Sequence, residues 1–255
     1  MKRTSEILGC SIRATDGPIG HIDDLRFDDA SWTVRWAVVD TGTWLSSLKV
    51  LLPPSCFGRS TISDRELSVD LTRQKVKDSP GIATDEPVSE QMENAVYGHY
   101  GWAPYWPAGY IVPLAAAGGA AVPPFGSGTS MIDRDRVAAE ERQGDPKLRS
   151  VNEVTGYYIG ATDDDIGHVE EFLIDEDKWA IRYMVVDTRN WWPGKKVLVS
   201  PRWIRGVNWN DEKIQVDLTR EQIKDSPHYE PDASIDRVYE SRLYRHYDYP
   251  PYWVD

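Results

Sequence analysis

The chain has 255 residues, 40% of them hydrophobic and 27% charged, which suits about two soluble domains with cores of their own. A formal net charge of −12 argues against sequence-independent nucleic-acid binding and against docking on anionic lipid, since both are driven by clustered Lys and Arg. The best apolar stretch, residues 110–122, is too short to cross a bilayer and is broken by Pro113, Gly118 and Gly119. The first residues lack the apolar block of a secretion signal, so a cytoplasmic location is expected.

In chain order, residues 9–15 read as a short strand ending in the turn Asp16-Gly17-Pro18. A second strand over 19–27 follows, with Asp23-Asp24 breaking its alternation and predicting a bulge. Residues 32–40 are dense in β-branched and aromatic side chains, as a central, largely buried strand requires. A loop over 41–48 leads into a strand at 49–52, which Pro53-Pro54 stops. The last strand, 66–71, alternates Leu67, Val69 and Leu71 against Ser68 and Asp70.

A helical turn over 72–77 ends at Ser79-Pro80, because the residue before proline is driven out of helical angles. A longer helix starts near the N-cap Ser89, with an apolar stripe at Met92, Val96 and Tyr100, and Pro104-Tyr105-Trp106 pins its end. Residues 107–130 are rich in Gly, Ala and Pro without period and read as a flexible linker, and 133–143 predict about three helical turns.

The pattern then recurs without a gap. Residues 7–106 reappear as 154–253, since 154 − 7 and 253 − 106 both give 147. Ile19-Gly20-His21 becomes Ile166-Gly167-His168, and Val38-Val39-Asp40-Thr41 becomes Val185-Val186-Asp187-Thr188. Pro104-Tyr105-Trp106 becomes Pro251-Tyr252-Trp253. Thr219 and Gln222 have the spacing of a capping box, Asp236 is the second helix N-cap, and Tyr239, Leu243 and Tyr247 form its stripe. The expected division is copy 1 with its tail helix over 1–106, a linker over 107–147, and copy 2 with its tail helix over 148–255. Each copy is expected to close upon itself as a small β-barrel or sandwich of five or six strands. Tyr97, Tyr100, Tyr244 and Tyr247 are candidates for packing copy on copy, as a pseudo-twofold pair and by extension an oligomer.

Cys10 and Cys56 align with Tyr157 and Trp203, so neither position needs sulfur and both read as apolar filling. His21 and His168, each after a glycine, suit either proton handling or a plain solvent-facing position on a strand. Asp40 and Asp187 read as turn-initiating residues bonding the backbone at Thr41 and Thr188, or as an acid pair if the two copies face each other. Asp163-Asp164-Asp165 and Asp175-Glu176-Asp177 lack the ligand order of a calcium loop and read as solvated turns. No phosphate-binding loop, dinucleotide fingerprint, zinc spacing or serine elbow is present. No catalytic residue, metal or cofactor is expected. Trp44, Trp191 and Trp192, in loops after the central strands, are candidate anchors for a protein partner, or rings that cover their own barrel mouths, and His21 and His168 are counted with them as candidate partner-binding residues.

The ordered run of Gly-His, Val-Val-Asp-Thr, Asp-Leu-Thr-Arg, Asp-Ser-Pro and Pro-Tyr-Trp motifs in both copies resembles PRC-barrel proteins of the bacterial tandem type. That family joins the cytoplasmic domain of the photosynthetic reaction centre H subunit with the C-terminal domain of a ribosome maturation factor. The resemblance implies a mainly β fold: two small barrels in tandem, each followed by a short C-terminal helix and joined by the Gly/Ala/Pro-rich linker. It also implies a non-catalytic interaction scaffold or adaptor with a protein partner. Two alternatives are an accessory role in a photosynthetic or other electron-transfer complex, and ribosome or RNA processing through a protein partner.

Overall fold

The computed structural model describes residues 1–45, 48–57, 65–82, 88–106, 147–188, 195–231 and 233–254. The expected linker and the helix over 133–143 lie outside them, apart from Lys147. Among the described residues the first repeat contributes Lys2–Arg3 (β1), Ser11–Ala14 (β2), Gly17–Asp28 (β3), Thr33–Asp40 (β4), Lys49–Leu52 (β5), Glu66–Ser68 (β6) and Gly81–Ile82 (β7). The second contributes Leu148–Ser150 (β8), Tyr158–Gly160 (β9), Asp165–Asp175 (β10), Ala180–Asp187 (β11), Lys196–Val199 (β12), Ile204–Asn208 (β13) and Lys213–Val216 (β14). The molecule is mainly β, with short helices at the arms and tails.

β4 carries Val34, Trp36, Ala37, Val38 and Val39, all buried, and pairs antiparallel with β3 and β5. β2 joins β3, and β6 runs parallel to β2. The second repeat copies this arrangement, with β11 between β10 and β12, β9 beside β10, and β14 parallel to β9. Both long strands are bulged where two adjacent acidic residues interrupt the alternation, between Ile22 and Asp24 and between Val169 and Glu171.

The expectation that each half closes upon itself is corrected by the strand pairing, which runs through both halves. β1, from the first repeat, pairs with β10 through Lys2↔Ile174 and Arg3↔Leu173. β8, from the second, pairs with β3 through Leu148↔Asp28, Arg149↔Phe27 and Ser150↔Arg26. Each repeat therefore lends its leading arm to the other's longest strand. The hairpin tips complete the lock: Val34 N donates to Trp179 O and Ile181 N to Trp32 O, both at 2.8 Å. Phe27, Trp32 and Phe172 gather at this junction, with ring centroids 5.0 to 6.5 Å apart.

Each arm carries a four-residue helix, Thr4–Ile7 or Val151–Val154, whose apolar residues Ile7, Val151 and Val154 are fully buried. The second arm is latched by Asp24. Its carboxylate accepts from Ser150 Oγ at 2.6 Å, Asn152 N at 3.2 Å and Leu25 N at 2.8 Å. The matching contact on the other arm, Ser5 Oγ to Glu171 at 2.7 Å, is exposed.

Burial pushes the Asp24 carboxyl above the usual aspartate range, against the pull of Arg26, Ser150 and the backbone donors. The folded protein thus holds this proton more tightly than the unfolded chain does. The group's stabilising contribution is complete below the ordinary aspartate pKa and declines as pH rises through the raised one. Asp24→Ala, which strands three donors, should cost on the order of 1–3 kcal/mol. That cost should be larger at about pH 4 than at about pH 7. Urea titrations at the two pH values check this, and a cost that grows with pH would contradict it.

The tail helices, Glu90–Tyr100 and Arg237–Tyr247, begin at Ser89 and Asp236, whose side chains accept from Met92 N and Tyr239 N. Among the described residues the ring contacts of Tyr97, Tyr100, Tyr244 and Tyr247 stay within each repeat. Tyr97 lies on Trp36, Tyr100 stacks on Trp102, and Tyr244 and Tyr247 lie on Trp203. A buried glutamate organises each tail. Glu93 accepts from Trp36 Nε1 and from Tyr105 Oη at 3.3 Å, while Glu240 accepts from Tyr183 Oη at 2.9 Å and Tyr252 Oη at 3.0 Å. Pro-Tyr-Trp is therefore tied to the core through a shared carboxylate, which satisfies otherwise costly buried polar groups.

Candidate functional site

The strand register places one polar rung across each repeat. In the first, Glu66↔Ser11, Ser11↔His21, His21↔Asp40 and Asp40↔Lys49 are successive cross-strand partners over five strands. In the second, the row is Lys213↔Tyr158, Tyr158↔His168, His168↔Asp187 and Asp187↔Lys196. Directly opposed residues share one face of a sheet, so these side chains are neighbours. His21 is exposed and His168 half-buried, and Tyr158 is 54% exposed.

Two features fix the centre of the rung. Gly20 and Gly167 let the strand run against its neighbour, because a Cβ there would meet the backbone oxygen of Asp40 at 1.9 Å or of Asp187 at 2.0 Å. The bulge beside His21 leaves Asp23 without a cross-strand partner of its own. Lys49 Nζ then reaches Asp23 Oδ2 at 2.8 Å, and Lys196 Nζ reaches Glu170 Oε1 at 2.5 Å. Asp40 Oδ1 accepts from Gly42 N at 2.7 Å, so the expected aspartate turn is present one residue further on than Thr41. Thr41 and Thr188 instead donate from Oγ1 to Leu48 O at 2.6 Å and Lys195 O at 2.7 Å.

His21, Asp23 and Asp40 offer ligand atoms that all lie within 4.8 Å of one another. Among the described residues the second repeat has no such group. Asp187 is 1% exposed, and Glu170 reaches Lys196 along a cleft beside the arms, lined also by Arg3, Ser5 and Asn152.

The remaining candidates separate cleanly. Asp40 and Asp187 sit in different rungs and do not form an acid pair. Asp163 accepts from the Arg220 backbone N–H, Asp164 pairs with the Arg220 guanidinium, Asp165 pairs with Lys213, and Asp175 takes Arg182 at 2.7 Å, so these turns carry structural hydrogen bonds and ion pairs. Cys10 is fully buried and Cys56 half-buried, and burial pushes both thiols up, away from reactive thiolate. Trp44 belongs to the short helical turn Gly42–Leu45, but its ring lies outside the described side chains, and Trp191 and Trp192 lie outside the described residues. Sequence reasoning missed Asp23, Lys49, Glu170 and Lys196. Their signal was charge of the same sign at matched positions of the two copies, which gains meaning only from the register.

The repeats, their bulged long strands and the matched rungs define a tandem-domain β protein. The family model for the PRC-barrel domain matches residues 1–75 and 149–223, more than half of the chain, and the chain belongs to that family. A protein of Deinococcus radiodurans described as uncharacterized is 34% identical over 84 residues, spanning 32% of this chain and 30% of that relative's length. No helix among the described residues is long and apolar enough to cross a membrane.

Proposed function

We propose that this chain is a non-catalytic interaction scaffold that presents two PRC-type surfaces to a protein partner. The observation that carries the reading is the exchange of arms. It holds two copies of one rung in a fixed mutual geometry, the preorganisation that lowers the entropic cost of binding two matched epitopes. The loops that start at Asp40 and Asp187 carry Trp44, Trp191 and Trp192 in the sequence, rings of the type that anchor interfaces. The net charge of −12 favours a basic partner surface.

Affinity capture with the full chain and with a Trp44→Ala, Trp191→Ala, Trp192→Ala triple variant tests the proposal. Partners recovered by the parent should be lost or strongly reduced with the variant, at unchanged melting temperature. Equal recovery of the same proteins would reject the loops as the contact.

A further inference from the structure

We propose that His21, Asp23 and Asp40 form a site for one divalent transition-metal ion in the first repeat, an inference that does not depend on the scaffold reading. The three side chains come from two adjacent strands, and their donor atoms lie within 4.8 Å of one another. One imidazole with two carboxylates is a mixed nitrogen and oxygen set suited to zinc or manganese, and three protein ligands leave further coordination positions open.

The carboxylates are also oriented as ligands are. Gly42 N holds Asp40 through Oδ1, and Lys49 Nζ holds Asp23 through Oδ2, so each has a second oxygen to offer. Outer hydrogen bonds of this kind fix ligating side chains and sharpen affinity. His21 stands exposed beside them, so an ion can enter from solvent.

The second repeat supplies an internal control. His168, Glu170 and Asp187 occupy the matching positions but form no such group among the described residues, and Asp187 is buried where Asp40 is half-buried. The full, tag-free chain should therefore bind about one equivalent of Zn2+ in calorimetric titration, with Mg2+ alone as the comparison ion. His21→Ala and Asp40→Asn should each weaken Zn2+ at least about tenfold, and His168→Ala should leave it unchanged. Circular dichroism melting separates loss of the site from loss of the fold. Absence of saturable Zn2+ binding in the parent, full binding by a folded His21→Ala variant, or equal loss in His168→Ala would overturn the assignment.

Discussion

Phe172→Ala should lower the stability of both repeats together by about 3–5 kcal/mol, the range for removing a buried aromatic ring from a core. Phe172 is fully buried and belongs to the second repeat, yet its ring lies 6.2 Å from Phe27 and 6.5 Å from Trp32, both of the first. Its backbone N–H donates to Thr4 Oγ1 at 3.2 Å, so the same residue also seats the borrowed arm. Trp32 and Trp179 hold left-handed backbone angles, φ 53° and 51°, that bulky residues seldom adopt. Such angles persist where surrounding contacts over-determine them, and here the tips bond each other reciprocally. Losing the ring should loosen both hairpins at once. Hydrogen exchange followed over β3–β4 and β10–β11 during a urea titration provides the readout. Two separate transitions, with the first repeat unaffected, would show that the arms join independently stable units.

The regular parts of the fold were legible because they rest on local chemistry. Pleat-forming runs located β4 and β11, adjacent acids marked both bulges, and Ser89, Asp236 and the Thr219/Gln222 box were read as caps and are caps. The final strand of copy 1 is shorter than the expected 66–71. Val69 makes only an isolated bridge to Phe57, so β6 ends at Ser68. The arms could not be read. A two- or three-residue strand followed by one helical turn has too few positions to display a period, and its partner strand lies more than a hundred residues away.

The candidate site was half legible for the same reason. His21, His168, Asp40 and Asp187 stood out because both copies keep them, whereas their mutual adjacency is a fact of register. A slip of one residue would have sent each to the other face. Glu93 and Glu240 were hidden differently: a charged residue inside an amphipathic helix reads as solvent-facing until a buried Trp or Tyr donor is found opposite it.

Gly167→Ala should be the second severe change, at about 2–6 kcal/mol, combining backbone strain with overpacking. The added Cβ would sit 2.0 Å from the Asp187 backbone oxygen and 2.9 Å from its carbonyl carbon, and neither atom can swing aside as a long side chain can. Gly167 also has φ 150°, a conformation L side chains rarely adopt. Relief requires β10 and β11 to part where His168 opposes Asp187, which opens the rung and the start of the loop behind it. Gly20→Ala meets the same obstacle at 1.9 Å but without the positive φ, so it should cost less than Gly167→Ala while disturbing His21 and Asp40 in the same way. Gly206→Ala is the control: among the described residues nothing lies within 4 Å of its Cβ position, and the change should stay within about 0.5 kcal/mol. Melting curves of the three variants, ranked Gly167→Ala, Gly20→Ala, Gly206→Ala from most to least destabilised, would tie the repeated Ile-Gly-His motif to close strand approach. A Gly167→Ala variant as stable as the parent would break that link and leave the glycine of the motif without a structural role.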